Sequence, residues 1–299
     1  MPTTLLASRS GEIAAIGAAF VWAAAVILFR RSGSTLGPVG LNLLKSAIGV
    51  LSLSLTIPLT GEQIAAGWTA QDWLLVALSG ILGIAVGDTL FLACLNRVGA
   101  ALWSIIDCLY GPLVLAFSFA FLGERLTPAR AAGGMLILAA VLLVSVSRQA
   151  TPAERHRLAS GIGLGLLAVV AMAAGTVLAR PVVEKSGLVS YSAIRMAVGA
   201  APLLLTLVRP DRRTEVTAAF RPSRAWRFAI PASLCGSYLG MMLWLAGIKH
   251  TMVGVATLLN QLTVVITIVF AWIFLREPLG GRTLAALALA VGGAALLFW

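Results

Sequence analysis

Residues 100–122, AALWSIIDCLYGPLVLAFSFAFL, contain one charged side chain, Asp107. At about 1.5 Å per residue, a helix of this length crosses a hydrocarbon core of about 30 Å. Lipid offers backbone N–H and C=O groups no partner, so such a run must be a helix or part of a closed barrel, and a run of this length is a helix. Working outward, comparable runs occupy 11–31, 36–59, 72–95, 128–147, 160–181, 188–209, 226–247, 252–275 and 281–299. Breakers and charge separate them, as at Arg30-Arg31, Gly61-Glu62 and Asn96-Arg97. The expected architecture is all-α and integral to the membrane, with ten transmembrane helices. Two connections are long, 148–159 and 210–225, and neither has room for a soluble domain.

Composition agrees. Of 299 residues, 60% are hydrophobic and 11% charged, against about 25% charged in soluble domains. A mean hydropathy of +0.98 excludes a water-soluble enzyme. Lys and Arg number 22 against 11 Asp and Glu. These cations sit in the gaps between apolar runs, where lipid headgroups and positive-inside bias account for them and nucleic acid is not needed. Arg9 before an apolar run superficially resembles a signal peptide, but further spans follow at once, so 11–31 reads as an uncleaved first span. Cys94, Cys108 and Cys235 lie inside apolar runs without metal-ligand spacing, and His156 and His250 have no partner at such spacing. No metal or cofactor is expected. Gly161, Gly163 and Gly165 superficially resemble a phosphate-binding turn but lack a βαβ context, so they read as helix packing. With no nucleotide-binding loop, ATP is not the direct energy source.

The chain repeats itself. At an offset of 153, Leu92-Ala93, Leu109, Phe117, Glu124 and Leu126 fall on Leu245-Ala246, Leu262, Phe270, Glu277 and Leu279, and Gly83 and Gly87 fall on Gly236 and Gly240. At an offset of 150, Lys45 and Gly49 fall on Arg195 and Gly199. The units are 1–147 and 160–299, joined by a linker at 148–159. Five helices per unit is an odd number, so the second unit enters the membrane upside down around a central cavity, an arrangement recurrent in secondary transporters.

These residues carry a family resemblance. The chain resembles the EamA-type branch of the drug/metabolite transporter superfamily through three features. They are Trp22 in the first helix, a basic residue in the second helix of each unit (Lys45, Arg195), and Leu-Gly-Glu-Arg-Leu-Thr at 122–127. The second unit's version, 275–279, carries Arg276 where the first has glycine. The resemblance implies transport of small metabolites and is strongest with ten-helix bacterial amino-acid exporters, hence a multi-pass protein of the bacterial inner membrane.

Candidate functional residues follow from polarity where lipid should meet apolar groups. Trp103, Asp107, Tyr110 and Val114 share one helix face, and Ala256, Asn260, Thr263 and Thr267, with Gln261 adjacent, form the equivalent face. Asp88 and Asp107 are costly in a membrane and need protein or water around them. Two readings stay open for each: lining a substrate or proton path, or pairing with Lys45. Lys45 and Arg195 either neutralise a substrate carboxylate or serve structure. Trp22, Trp244 and Tyr238 complete the candidate cavity, while Trp68, Trp73, Trp226 and Trp299 suit an aromatic belt. Gly83, Gly87, Gly236 and Gly240 read as close helix contacts beside the path. Glu124 and Glu277 are expected to pair with Arg125 and Arg276.

The functional expectation is a secondary-active or facilitative transporter, acting as a monomer. It exports amino acids or similar amphiphiles by alternating access, with small-molecule substrate and membrane lipid as its partners. An exporter of hydrophobic cations is the alternative, with Asp107 under Trp103 and Tyr110. A membrane-embedded enzyme lacks any catalytic constellation. Fourteen basic residues fall in gaps 1–2, 3–4, 5–6, 7–8 and 9–10, against six in the others and the N-terminus. This places the first set in the cytoplasm and both termini in the periplasm.

Overall fold

The computed structural model describes residues 2–122, 127–145, 152–250 and 259–296. Glu124, Arg125, Ala256 and Trp299, named above, lie outside the described residues. Among those described there are helices and no strands. Eleven helices follow in order: α1 (Pro2–Ser32), α2 (Pro38–Thr60), α3 (Ala70–Val98), α4 (Ala100–Asp107 continuing as Tyr110–Leu122), α5 (Pro128–Ser145) and α6 (Pro152–Val183). They continue with α7 (Leu188–Leu205), α8 (Pro210–Phe220), α9 (Trp226–Leu234 continuing to His250), α10 (Leu262–Leu275) and α11 (Gly281–Leu296). Seven, α1–α4, α6, α7 and α9, are long and apolar enough to cross a membrane, and α5, α10 and α11 contain shorter apolar helices.

Both long connections contain helical residues. Residues 152–159 of the 148–159 linker continue α6, because Pro152 suits the first helical turn and Glu154 suits its positive dipole end. The 210–225 connection contains helix α8, started by Pro210 with Asp211 in its first turn. Polar sequence had concealed both helices from a search for apolar runs.

Local chemistry fixes the ends. Thr69 and Asp72 form a reciprocal capping box at the start of α3. Gly61 (φ 69°) ends α2, and Gly99 (φ 87°) turns the chain between α3 and α4; a side chain would strain both. Arg276, at φ 56°, takes the left-handed position that follows α10 without being glycine.

The two units interleave. The pairs α1·α9 and α1·α10 recur as α6·α3 and α6·α4, while α2·α7, α4·α10 and α5·α11 are equivalent elements packed together. The equivalent elements run antiparallel. Glu215, beyond the end of α7, reaches the start of α2, and Glu62, beyond the end of α2, reaches the start of α7. Glu277, beyond the end of α10, reaches the start of α4. Contacts at one end of the bundle join Arg31 to the Phe274 carbonyl, Arg157 to the Asn96 carbonyl, Glu277 to Ala100 and Glu215 to Val39. At the other end, Lys185 bonds Asp72 at 2.7 Å, and the Trp68 indole donates to Ser186.

The backbones of α3 and α7 approach closely at Gly80 and Gly199. A Cβ added at Gly199 would lie 2.5 Å from the Gly80 carbonyl oxygen.

Candidate functional site

A cavity of about 800 Å³ opens between the units. Its walls are built from equivalent positions of the two repeats. Trp22 and Met172, Val26 and Thr176, Lys45 and Arg195, Phe91 and Trp244, Asp107 and Asn260, and Tyr110 and Thr263 all line it. So do Gly83 and Gly236, Ile84 and Ser237, Cys108 and Gln261, and Gly111 and Val264. A space lined in this way lies where the two units face each other.

Two of these walls are π-helical. Ile81–Asp88 within α3 and Cys235–Leu239 within α9 carry the equivalent glycines, and each inserts a wide turn into a long helix. Wide turns leave carbonyls without their usual partners. Asn42 donates to the Ile84 carbonyl at 2.7 Å, and the Trp22 indole donates to that of Gly236 at 3.1 Å. The glycines have separate tasks. Gly83 makes room for the Arg195 guanidinium, and a Cβ at Gly236 would press on the Phe29 ring. Gly87 faces Met172 and Gly240 faces the Trp22 indole, so neither lines the cavity. The run at 161–165 also packs unevenly: a Cβ at Gly161 would meet Val98 and Arg97, one at Gly165 would meet Cys94 and Ile106, and Gly163 faces open space.

The charged groups divide into a pair and two singles. Lys45 Nζ lies 2.5 Å from Asp88 Oδ2, both side chains mostly buried. Lys45 therefore takes Asp88, not Asp107. Asp107 makes no hydrogen bond or ion pair with a described residue. Arg195 donates through Nε to Ser79 Oγ at 2.7 Å and through a terminal nitrogen to the Ser79 carbonyl at 3.4 Å, with no carboxylate among its described partners. Tyr110 lines the same cavity as these singles and shares a hydrogen bond of 2.8 Å with Thr176.

Aromatic surface fills much of the remainder. Trp103 is buried against Phe91 with ring centroids 4.6 Å apart, and Trp22 stands 6.2 Å from Trp244. Thr263 donates to the Asn260 carbonyl at 2.6 Å.

Of the residues singled out from sequence, Trp22, Lys45, Asp88, Trp103, Asp107, Tyr110, Arg195, Trp244, Asn260, Gln261 and Thr263 meet at this cavity. Tyr238 does not. Its hydroxyl shares a 2.8 Å hydrogen bond with Thr56, and its ring packs on the cluster of Leu53, Ile57, Val189 and Ala193 between α2 and α7. Regular helical spacing agrees: Tyr238 lies about 120° around the helix from Trp244, whereas Ser237 shares the Trp244 face and lines the cavity. Thr267 is buried and lies outside the lining. Glu277 is not held by Arg276; both its oxygens accept from backbone, Ala100 and Ala101 N–H at 2.9 Å each. Sequence reasoning missed Met172 and Thr176, although the offset of 150 from Trp22 and Val26 leads directly to them. Phe29 and Phe91 carried no signal beyond their apolarity.

The model of the EamA-like transporter family matches this chain twice, over residues 9–146 and 159–299. The chain belongs to the EamA-like transporter family. As in that family, within the drug/metabolite transporter superfamily, it is a multi-pass membrane transporter. A solved structure described only as the crystal structure of a protein superposes with a TM-score of 0.65 at 20% identity, covering 97% of this chain and 96% of that one. That likeness speaks to the fold alone. No curated protein matches the chain.

Proposed function

We propose that this EamA-like protein is a secondary-active or facilitative transporter of amino acids and similar small zwitterionic amphiphiles, working by alternating access around the central cavity. One observation carries the reading. Among the described residues, the Arg195 guanidinium has no carboxylate partner and the Asp107 carboxyl no cation, and both line the same aromatic-walled cavity with Tyr110. A ligand bearing both a carboxylate and an ammonium group completes both, and its apolar side chain meets Trp22, Trp103 and Trp244. A volume of about 800 Å³ is of the size that holds one small molecule.

The ten-span arrangement fits these contacts, with α5, α10 and α11 crossing beside the seven longer helices. The basic gaps then face the cytoplasm, export runs outward through an inner membrane, and both termini are periplasmic. One chain supplies every wall, so a monomer suffices. The alternative, a hydrophobic-cation exporter, draws on Asp107 among aromatics, but Arg195 in the same cavity repels a cation.

The test is uptake of radiolabelled amino acids into proteoliposomes, with a cationic dye as competitor. Arg195→Gln and Asp107→Asn are each expected to raise KM about tenfold or more while leaving the folded yield unchanged, since each removes a charge-assisted contact. Competition by the dye but not by amino acids, or unchanged KM in both variants, would overturn the reading.

A further inference from the structure

The two units differ most in the connection between their second and third helices. In the first unit it is 61–69, GEQIAAGWT, without a basic residue. In the second it contains α8 and, with the adjoining starts and ends of helices, Arg209, Arg212, Arg213, Arg221, Arg224 and Arg227. Both connections keep the glutamate that reaches the other unit's second helix. Only one surrounds it with arginines.

Nearby acids use two of these cations. Arg209 bonds Asp211 at 3.4 Å, and Arg212 bonds Glu215 at 2.7 Å. Arg213, Arg221, Arg224 and Arg227 are exposed and have no carboxylate among the described residues. Beside them, where α7 leaves its apolar span and α8 ends, Leu205, Val208 and Phe220 are 74%, 85% and 42% exposed. Guanidinium groups without a described carboxylate partner, Arg227 among them stacking on the Phe228 ring at 4.7 Å, border exposed apolar side chains at the end of membrane-spanning helices. This matches the layered chemistry of an anionic lipid surface: phosphate outside, acyl chains beneath.

The surface is tied to the bundle. Val216 and Ala219 are buried, the Trp226 indole donates to the Ala219 carbonyl at 2.8 Å, and Glu215 Oε1 accepts from Val39 N–H at 2.8 Å. Val39 opens the helix that carries Lys45 into the cavity.

We infer that α8 and its flanking arginines form a docking surface for anionic phospholipid headgroups, and that headgroup binding holds Glu215 on the amino-terminal end of α2. Arg213, Arg221, Arg224 and Arg227 bind the phosphates. Leu205, Val208 and Phe220 enter the adjoining acyl layer. The inference rests on the membrane location of the chain and is independent of what the cavity carries.

Hydrogen exchange on the full chain in nanodiscs tests it. The comparison is phosphatidylcholine alone against phosphatidylcholine mixed with phosphatidylglycerol. Amides of 211–220 and of Val39 and Gly40 are expected to exchange about fivefold more slowly in the anionic discs. Replacing Arg213, Arg221, Arg224 and Arg227 together by Gln should erase the difference, and replacing them by Lys should keep it. Equal exchange in the two discs, or a lipid dependence surviving the Gln variant, overturns the inference. Equal slowing by inorganic phosphate over neutral discs overturns it too, because the ligand is then a free anion. No substrate or transport enters the readout, so failure here is distinct from failure of the transport reading.

Discussion

Glu62 and Glu215 are equivalent residues that cap each other's repeat. Glu62 Oε2 accepts from Ser190 N–H at 2.8 Å at the start of α7, and Glu215 Oε1 accepts from Val39 N–H at 2.8 Å at the start of α2. The exchange happens at opposite ends of one antiparallel helix pair. A carboxylate at a helix start satisfies orphan N–H donors and meets the positive end of the dipole.

Removing either carboxylate should therefore loosen the contact between units. Glu62→Ala and Glu215→Ala are each expected to cost about 1 kcal/mol, and the double variant about the sum, because the sites share no partner. Thermal unfolding followed by size-exclusion chromatography in detergent measures this. Unchanged midpoints would show that water replaces the caps without loss.

Lys45 and Asp88 form a largely buried ion pair, and its loss should be asymmetric. Lys45→Met or Asp88→Leu alone strands a charge and is expected to lower stability by about 3–5 kcal/mol. Lys45→Met with Asp88→Leu should recover most of the folded yield. Single variants as stable as the parent would mean that the cavity hydrates either charge on its own.

Arg276 occupies a left-handed backbone position where the first unit has Gly123 in sequence. A side chain there costs about 1–2 kcal/mol. Arg276→Gly removes that strain but gives the unfolded chain more freedom, so a net gain of about 1 kcal/mol is expected. Glu277 keeps its two bonds to Ala100 and Ala101. A lowered unfolding midpoint would show that the arginine side chain contributes more than its backbone costs.

What the sequence determined by itself is what local pattern encodes. Apolar runs of bilayer length mark the long helices, since lipid leaves the backbone no other way to satisfy its hydrogen bonds. The offsets of 150 and 153 expose the repeat, and the stripe of Trp103, Asp107 and Tyr110 with its equivalent at Asn260 and Thr263 points to a shared interior. Other features were decided by tertiary structure. Lys45 had two carboxylates at plausible depth, and only the packing of α2 on α3 selects Asp88. Glu277 sits beside an arginine in sequence yet binds the start of α4, because interleaved units bring distant helix ends together. Tyr238 was expected at the cavity, yet it packs between α2 and α7, where its hydroxyl bonds Thr56. Spacing along one helix is a local property that residues carry with them. Partner choice, helix register and the aim of a side chain depend on elements far away along the chain, 43 residues for Lys45 and Asp88 and 177 for Glu277 and Ala100, which no local pattern records.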